Sequence, residues 1–401
     1  MKEIIVKNLN ASKDMKKELQ LIGFDSSYID NAFNKYTTKC IKIFNLKPYE
    51  ATILKQTCLS LNTDCAVHRN VLMNNIEYSN AIITTDKKNY FKIAQKLKSQ
   101  PFRLKNLSFK ILENIQENIS SLQIRHKVFN WTTNKYAMGI LNLTPDSFSD
   151  GGSYKDLNTI YHHIENMIIN GISILDIGAE STRPGALEVN SKDEINRLEP
   201  FLSKIIKTFK NDLIFSLDTR HSNTAKWALD LGVDIINDVS SFDFDTNMFN
   251  IILEYKVPII LMHSSSIPLD MQNKTDYNNL IDDIYLYLYN KSQLLINNGM
   301  DKSKIIIDPG IGFGKTYKQN IEIIKNISEF RSLNYPILIA LSRKKLVQQS
   351  LKHQDSLNND TLDFYTSIFN TIAFNNGANL IRIHNTNNLN NILNIANEFI
   401  L

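Results

Sequence analysis

The stretch "MGILNLTPDSFSDGG", residues 138–152, lies near the middle of a 401-residue chain and decides how the rest is read. Met138-Gly139-Ile140-Leu141 runs as a strand into Asn142, and a Thr-Pro-Asp-Ser turn follows. An open doubly wound sheet carries a glycine-rich dinucleotide loop after its first strand; "LNLTPDSF" is not one. A strand that stops on a polar side chain and opens into a loop of hydrogen-bonding groups instead fits the mouth of a barrel, where chemistry sits at the C-terminal strand ends.

Outward from this stretch the pattern repeats. Short β-rich runs occur at YAMGIL (136–141), ISILDI (172–177), LIFSLD (213–218), VDIIN (233–237), PIILM (258–262), KIIID (304–308), PILIAL (336–341) and NLIRI (379–383). Amphipathic stretches such as TIYHHIENMIIN (159–170) and TAKWALDLG (224–232) lie between them. Strand–helix alternation means parallel strands joined by right-handed crossovers. Eight such units over residues 126–401 predict an α/β fold, a (β/α)8 TIM barrel. Residues 1–125 read as a smaller α+β domain. Strands are expected at 41–46 and 81–85 and helices at 48–61 and 88–99, with a helical connector over LENIQENISSLQIRH (112–126).

Composition narrows the function classes. The charge balance, 45 Lys and Arg against 41 Asp and Glu, proposes no nucleic-acid partner. No apolar run is long enough to cross a membrane, and "MKEIIVKNLNASKDMKKE" has no secretory apolar core, so a cytoplasmic protein is expected. Cys40, Cys58 and Cys65 match neither zinc nor redox spacing and read as ordinary thiols.

The strand ends carry the chemistry. In order they give Asn142, Asp176, Asp218, Asn237, His263, Asp308, then Ser342-Arg343-Lys344, and finally Arg382 with His384. Any one could be a helix cap. Eight in register are harder to explain that way, because each buried, unpaired carboxylate costs several kcal/mol. Asp176, Asp218, Asn237 and Asp308 suit a flat, nitrogen-rich heterocycle with N–H donors. Asn142, Arg183, Arg343, Lys344, Arg382 and His384 suit phosphate oxygens. "DPGIGFGK" (308–315) offers close backbone approach and an aromatic wall in Phe313, with Lys315 nearby. "AESTRPGA" (179–186) adds Thr182 and Arg183.

Residues 126–401 resemble dihydropteroate synthases. MGILNLTPDSFSDGG matches that family's first signature and DIGAESTRPGA its second; DPGIGFGK, ALSRK and IRIHN match later motifs in the expected order. The resemblance implies a transferase of folate biosynthesis. It would join 6-hydroxymethyl-7,8-dihydropterin diphosphate to 4-aminobenzoate by a dissociative, carbocation-like path, as a homodimer using Mg2+. Asn142 resembles the magnesium-binding Asn, and Thr182 and Arg183 the residues near diphosphate and aminobenzoate. Asp218, Asn237, Asp308 and Lys344 resemble the pterin-contacting set, and Asp176 an inward carboxylate beneath the ring. Arg382 and His384 resemble an anion-binding pair. The alternatives are a pterin-binding methyl-transfer domain, which lacks the NLTPDSFSDGG loop, or a non-catalytic paralogue, which would have lost a strand-end residue. Three departures touch the aminobenzoate side: Ala179 in place of Gly, Ser264-Ser265-Ser266 after LMH, and Lys345 where a small Ser is usual.

Overall fold

The computed structural model describes residues 15–29, 35–36, 38–116, 118–144, 156–180, 188–265, 275–351 and 358–399. The chain divides into two units, Met1–Asn118 and Ile119–Leu401.

In the first unit, β1 (Thr38–Leu46), β2 (Cys65–Val67) and β3 (Ser79–Asp86) form an antiparallel sheet in the order β1-β3-β2. Alternation along β3 buries Ala81, Ile83 and Thr85 and leaves Ile82 and Thr84 outside. Helices Pro48–Leu59, Lys87–Lys98 and Leu104–Gln116 contribute Leu54, Tyr90, Ile93, Leu97, Leu104 and Ile111 to the same core. Both expected strands and both expected helices are present. The three-residue β2 is too short to leave a periodic signal.

The second unit begins earlier than the expected boundary at 125/126. The segment read as a helical connector is helical only through Gln116; β4 (Leu122–Ile124) and β5 (Lys127–Phe129) then pair as an antiparallel hairpin. Arg125 takes a positive φ of 50° in its turn, and its guanidinium binds the Asp234 carboxylate at 2.8 Å.

Eight parallel strands follow: β6 (Tyr136–Asn142), β7 (Ile174–Gly178), β8 (Ile214–Asp218), β9 (Ile235–Asp238), β10 (Ile259–Met262), β11 (Ile305–Asp308), β12 (Leu338–Ala340) and β13 (Leu380–Ile383). Their order, β11-β10-β9-β8-β7-β6-β13-β12, closes through a parallel bridge between Ile307 and Ile337. This is the expected TIM barrel. Strands β7 to β11 are buried along their whole length, as parallel strands covered on both faces must be.

The strand period of two builds the site. Met138, Ile174, Ile214, Ile235, Ile260, Ile306, Leu338 and Leu380 pack with Ile119, Leu122, Ile124, Phe129 and Trp131 in one cluster, so the hairpin plugs the barrel floor. Two residues further along their strands, the side chains on the same face include Asp176, Ser216, Asn237, Asp308 and Arg382, with Ile140, Met262 and Ala340 between them. The apolar floor therefore carries a polar layer directly above it. Because Ile119 belongs to the floor, a chain beginning at Ile119 should fold and turn over. One beginning at Thr132 should not fold, because five floor side chains are gone. Circular dichroism and turnover of the two fragments check this.

Candidate active site

Arg382 occupies the centre of the polar layer. Its Nε donates to Asp176 Oδ2 at 2.6 Å and its Nη2 to Asp218 Oδ2 at 2.7 Å. Asn237 Nδ2 adds a second donor to Asp176 Oδ2, at 3.1 Å. The second oxygens, Asp176 Oδ1 and Asp218 Oδ1, are buried and have no hydrogen-bond partner among the described residues. Leaving two acceptors so is costly unless a ligand supplies donors. Burial pushes the Asp218 carboxyl up to about 7 against the pull of Arg382, with Asp176, Glu194 and Glu180 adding to the rise.

The loop after β11 forms the opposite wall. Asp308 Oδ1 accepts the Gly310 N–H at 2.7 Å. Burial raises this carboxyl above its usual range, with Lys344 opposing. Lys344 Nζ lies 4.7 Å from the centre of the Phe313 ring and donates to the Ile311 carbonyl at 2.6 Å. Burial brings the Lys344 ammonium down to about 8, with Asp308 pulling the other way. The loop turns tightly at Gly310, whose φ is +72° and where an added Cβ would stand 1.9 Å from the His263 carbonyl oxygen. Gly310→Ala should therefore cost about 2 kcal/mol, from overpacking and a left-handed φ together. Chemical denaturation measures it; an unchanged midpoint would mean the loop shifts freely.

The expected cation set is divided by the structure. Arg343 sits at φ +56° and forms a two-pronged pair with Asp363, at 2.8 and 2.7 Å, so it braces a helix. His384 lies just past β13, with its Nδ1 3.0 Å from Ser342 Oγ. The expectation that Arg382 and His384 point together as an anion pair meets a different arrangement, since the Arg382 Nε and Nη2 donors are taken by two aspartates. Asn142 ends β6 half-buried, its Oδ1 3.8 Å from where a Cβ on Gly178 would stand. Thr182, Arg183 and Ser266 lie outside the described residues. Ala179 is fully buried, and Lys345 is exposed as the first residue of helix Lys345–Ser350.

Two groups were not among the expected site residues. Arg220 makes a buried pair with Glu180 at 2.7 Å and lies 3.9 Å over the Phe244 ring. Glu180, despite its burial, is held down to about 2 by His221 and Arg220. Lys315 is buried against His263. Arg220 lies two residues past the end of β8 and Lys315 closes the DPGIGFGK motif, and spacing alone does not say which way either cation turns.

Among the described residues no three His, Cys, Asp or Glu side chains cluster as a metal cage. Asn142 offers one amide oxygen, which fits Mg2+: that ion takes few protein oxygens and completes its shell with water and phosphate.

The fold and the site together are those of a (β/α)8 barrel with buried carboxylates above its floor. The pterin binding enzyme family matches residues 138–384. The dihydropteroate synthase of Streptococcus pyogenes serotype M6 is 39% identical over 251 residues, 63% of this chain and 90% of that one. Solved relatives include the Anaplasma phagocytophilum dihydropteroate synthase with bound 6-hydroxymethylpterin-monophosphate, 30% identical with TM-score 0.58 over 66% of this chain and 99% of that one. Another is the Xanthomonas albilineans enzyme with 4-aminobenzoic acid, 27% identical with TM-score 0.61 over 69% and 96%. The chain belongs to the dihydropteroate synthases, within the pterin-binding enzymes.

Proposed function

We propose that the protein condenses 6-hydroxymethyl-7,8-dihydropterin diphosphate with 4-aminobenzoate, releasing pyrophosphate and forming 7,8-dihydropteroate. The observation that carries this reading is the pair of buried oxygens on Asp176 and Asp218 that have no partner among the described residues, in the polar layer to which Asp308 also belongs. A pterin supplies the missing N–H donors. The 6-hydroxymethylpterin-monophosphate bound in the Anaplasma phagocytophilum relative and the 4-aminobenzoic acid of the Xanthomonas albilineans one are of the matching chemistry.

Asp176, Asp218, Asn237 and Asp308 bind and orient the pterin. As the carbon–oxygen bond to the diphosphate breaks, positive charge spreads from the exocyclic methylene into the electron-rich ring, and the aspartates stabilise it electrostatically. Lys344 and Phe313 form the wall toward the aryl amine, which is neutral at pH 7 and attacks without a strong base. Thr182, Arg183 and His384 are the remaining contacts to diphosphate and aminobenzoate. Asn142 would hold Mg2+, which would supply neutralisation of leaving-group charge. The test is incubation with both substrates, with and without Mg2+, and detection of dihydropteroate by mass. A pterin released unchanged in the presence of Mg2+ would overturn the reading.

The same reading makes the protein a cytoplasmic homodimer. Cys40, Cys58 and Cys65 are free thiols, as in a reducing compartment. No helix among the described residues is long and apolar enough to cross a membrane. On helix Asn359–Asn375, exposed Phe364, Ile368 and Ile372 form an apolar stripe at four-residue spacing. Light scattering should give twice the 46.1 kDa chain mass, and Phe364→Glu should halve it.

A further inference from the structure

Lys315 is 3% exposed, and among the described residues no carboxylate accepts from its ammonium. Nζ instead faces the Gly310 carbonyl at 2.9 Å, the Phe313 carbonyl at 2.9 Å, the His263 carbonyl at 3.3 Å and His263 Nδ1 at 3.1 Å. Three carbonyl oxygens thus converge on one buried point. Without a donor there, they would repel one another and remain unsatisfied. The chain is also folded more tightly around the ammonium than an alanine would allow. A Cβ on Gly310 would stand 3.3 Å from Nζ as well as colliding with the His263 carbonyl.

The loop held this way carries three groups of the site. Asp308 accepts the Gly310 N–H, Ile311 offers its carbonyl to Lys344, and Phe313 lies beside the Lys344 ammonium. Each depends on where residues 310–313 lie, and two carbonyls of that segment are fixed by Lys315. The same ammonium acts on His263. Burial lowers the Lys315 pKa to about 7, with Asp308 holding it up; in its charged form the ammonium 3.1 Å from Nδ1 can only donate, which makes that nitrogen the acceptor and puts the imidazole proton on Nε2. Burial and Lys315 both drive the His263 pKa far down, which agrees with that assignment.

We propose that Lys315 is a positioning residue: its ammonium is the template for the 308–315 loop and fixes the His263 tautomer, so that Asp308, Phe313 and Lys344 meet both substrates in one geometry. The proposal rests on the reading of this site as the pterin and aminobenzoate pocket. A neutral side chain of similar length would fill the space but leave the carbonyls without donors. An arginine would bring a planar fork to a site shaped for a compact donor.

The test is chemical rescue of Lys315→Ala. The variant should lose at least about tenfold in pterin affinity, the equivalent of one charge-assisted hydrogen bond. Its KM for aminobenzoate should also rise, since Phe313 and Lys344 move with the loop. Methylammonium at tens of millimolar should restore turnover saturably. Tetramethylammonium, which has no N–H donor, should not. A folded variant within twofold of the unsubstituted protein overturns the proposal, as does rescue by both cations or by neither. Should Lys315→Ala fail to fold, nitrogen-15 NMR of the unsubstituted chain decides. His263, assigned through its backbone, should show an unprotonated Nδ1 at neutral pH, and a protonated Nδ1 overturns the proposal. An unsubstituted protein that binds no pterin would refute the functional reading. The tautomer measurement needs no substrate and still decides whether Lys315 governs the loop.

Discussion

Arg382→Ala should lower kcat/KM by about 10³ and weaken binding of a bare, non-reactive pterin as well. The guanidinium joins two buried carboxylates, at 2.6 Å to Asp176 and 2.7 Å to Asp218. Removing one partner of a buried ion pair costs about 3–5 kcal/mol, because the charge left behind has neither water nor counterion. At about 1.4 kcal/mol per factor of ten, that is two to three powers of ten or more. Part of the loss is avoided by protonation. With Arg382 gone, nothing opposes the burial and the neighbouring Asp176 charge that push the Asp218 carboxyl up, and it would hold a proton at neutral pH. A protonated carboxyl presents a donor where the pterin needs an acceptor. Both measured quantities should therefore fall together. Lysine should not rescue, since a single ammonium cannot supply the Nε and Nη2 donors in their fixed geometry. Steady-state turnover and calorimetry with a bare pterin check the result. Unchanged pterin affinity with lost turnover would place Arg382 at the diphosphate instead.

This expectation differs from the one the sequence supports, and the reason is physical. Arg382 is separated from Asp176 by 206 residues and from Asp218 by 164, so nothing local marks them as partners. The residue types were legible; the pairing was not. Likewise Arg343 reads as a free cation in "ALSRK", yet Asp363 on a later helix takes it. Lys315 reads as one more basic residue near a glycine-rich loop, because only the folded backbone shows three carbonyls turned toward it. Barrel topology, by contrast, is written locally. Isoleucine-rich runs buried on both faces, separated by amphipathic helices, leave few alternatives, and the strand period places Asp176, Asn237, Asp308 and Arg382 on the inner face. The plug hairpin was hidden for the opposite reason. "LENIQEN" continues a real helical period, and the change to alternation at Leu122 and Ile124 spans only three residues per strand.

Asp308→Asn should cost roughly 2–4 kcal/mol of pterin affinity, the loss expected when a charged hydrogen bond breaks and a buried donor is left unpaired. The geometry removes the usual escape. An asparagine can offer its oxygen to only one side. The Gly310 N–H, 2.7 Å from Asp308 Oδ1, claims that oxygen, because turning the amide over would set donor against donor within the loop. The NH2 group must then face the ligand, where the pterin presents N–H groups of its own. Acid should reproduce the effect in the unsubstituted protein. Burial raises the Asp308 carboxyl above its usual range, so the proton arrives at a higher pH than for an exposed aspartate. As pH falls through that raised pKa, the acceptor is lost and pterin binding weakens. The Asn variant keeps only the titration of the Asp218 carboxyl, near 7, so its affinity should fall less than that of the unsubstituted protein and the two curves should converge at low pH. Calorimetry with a non-reactive pterin, from neutral to mildly acidic solution, measures both. Curves that stay parallel would mean the titrating acceptor is elsewhere. Equal affinity at neutral pH would mean that the pterin donors do not reach Asp308.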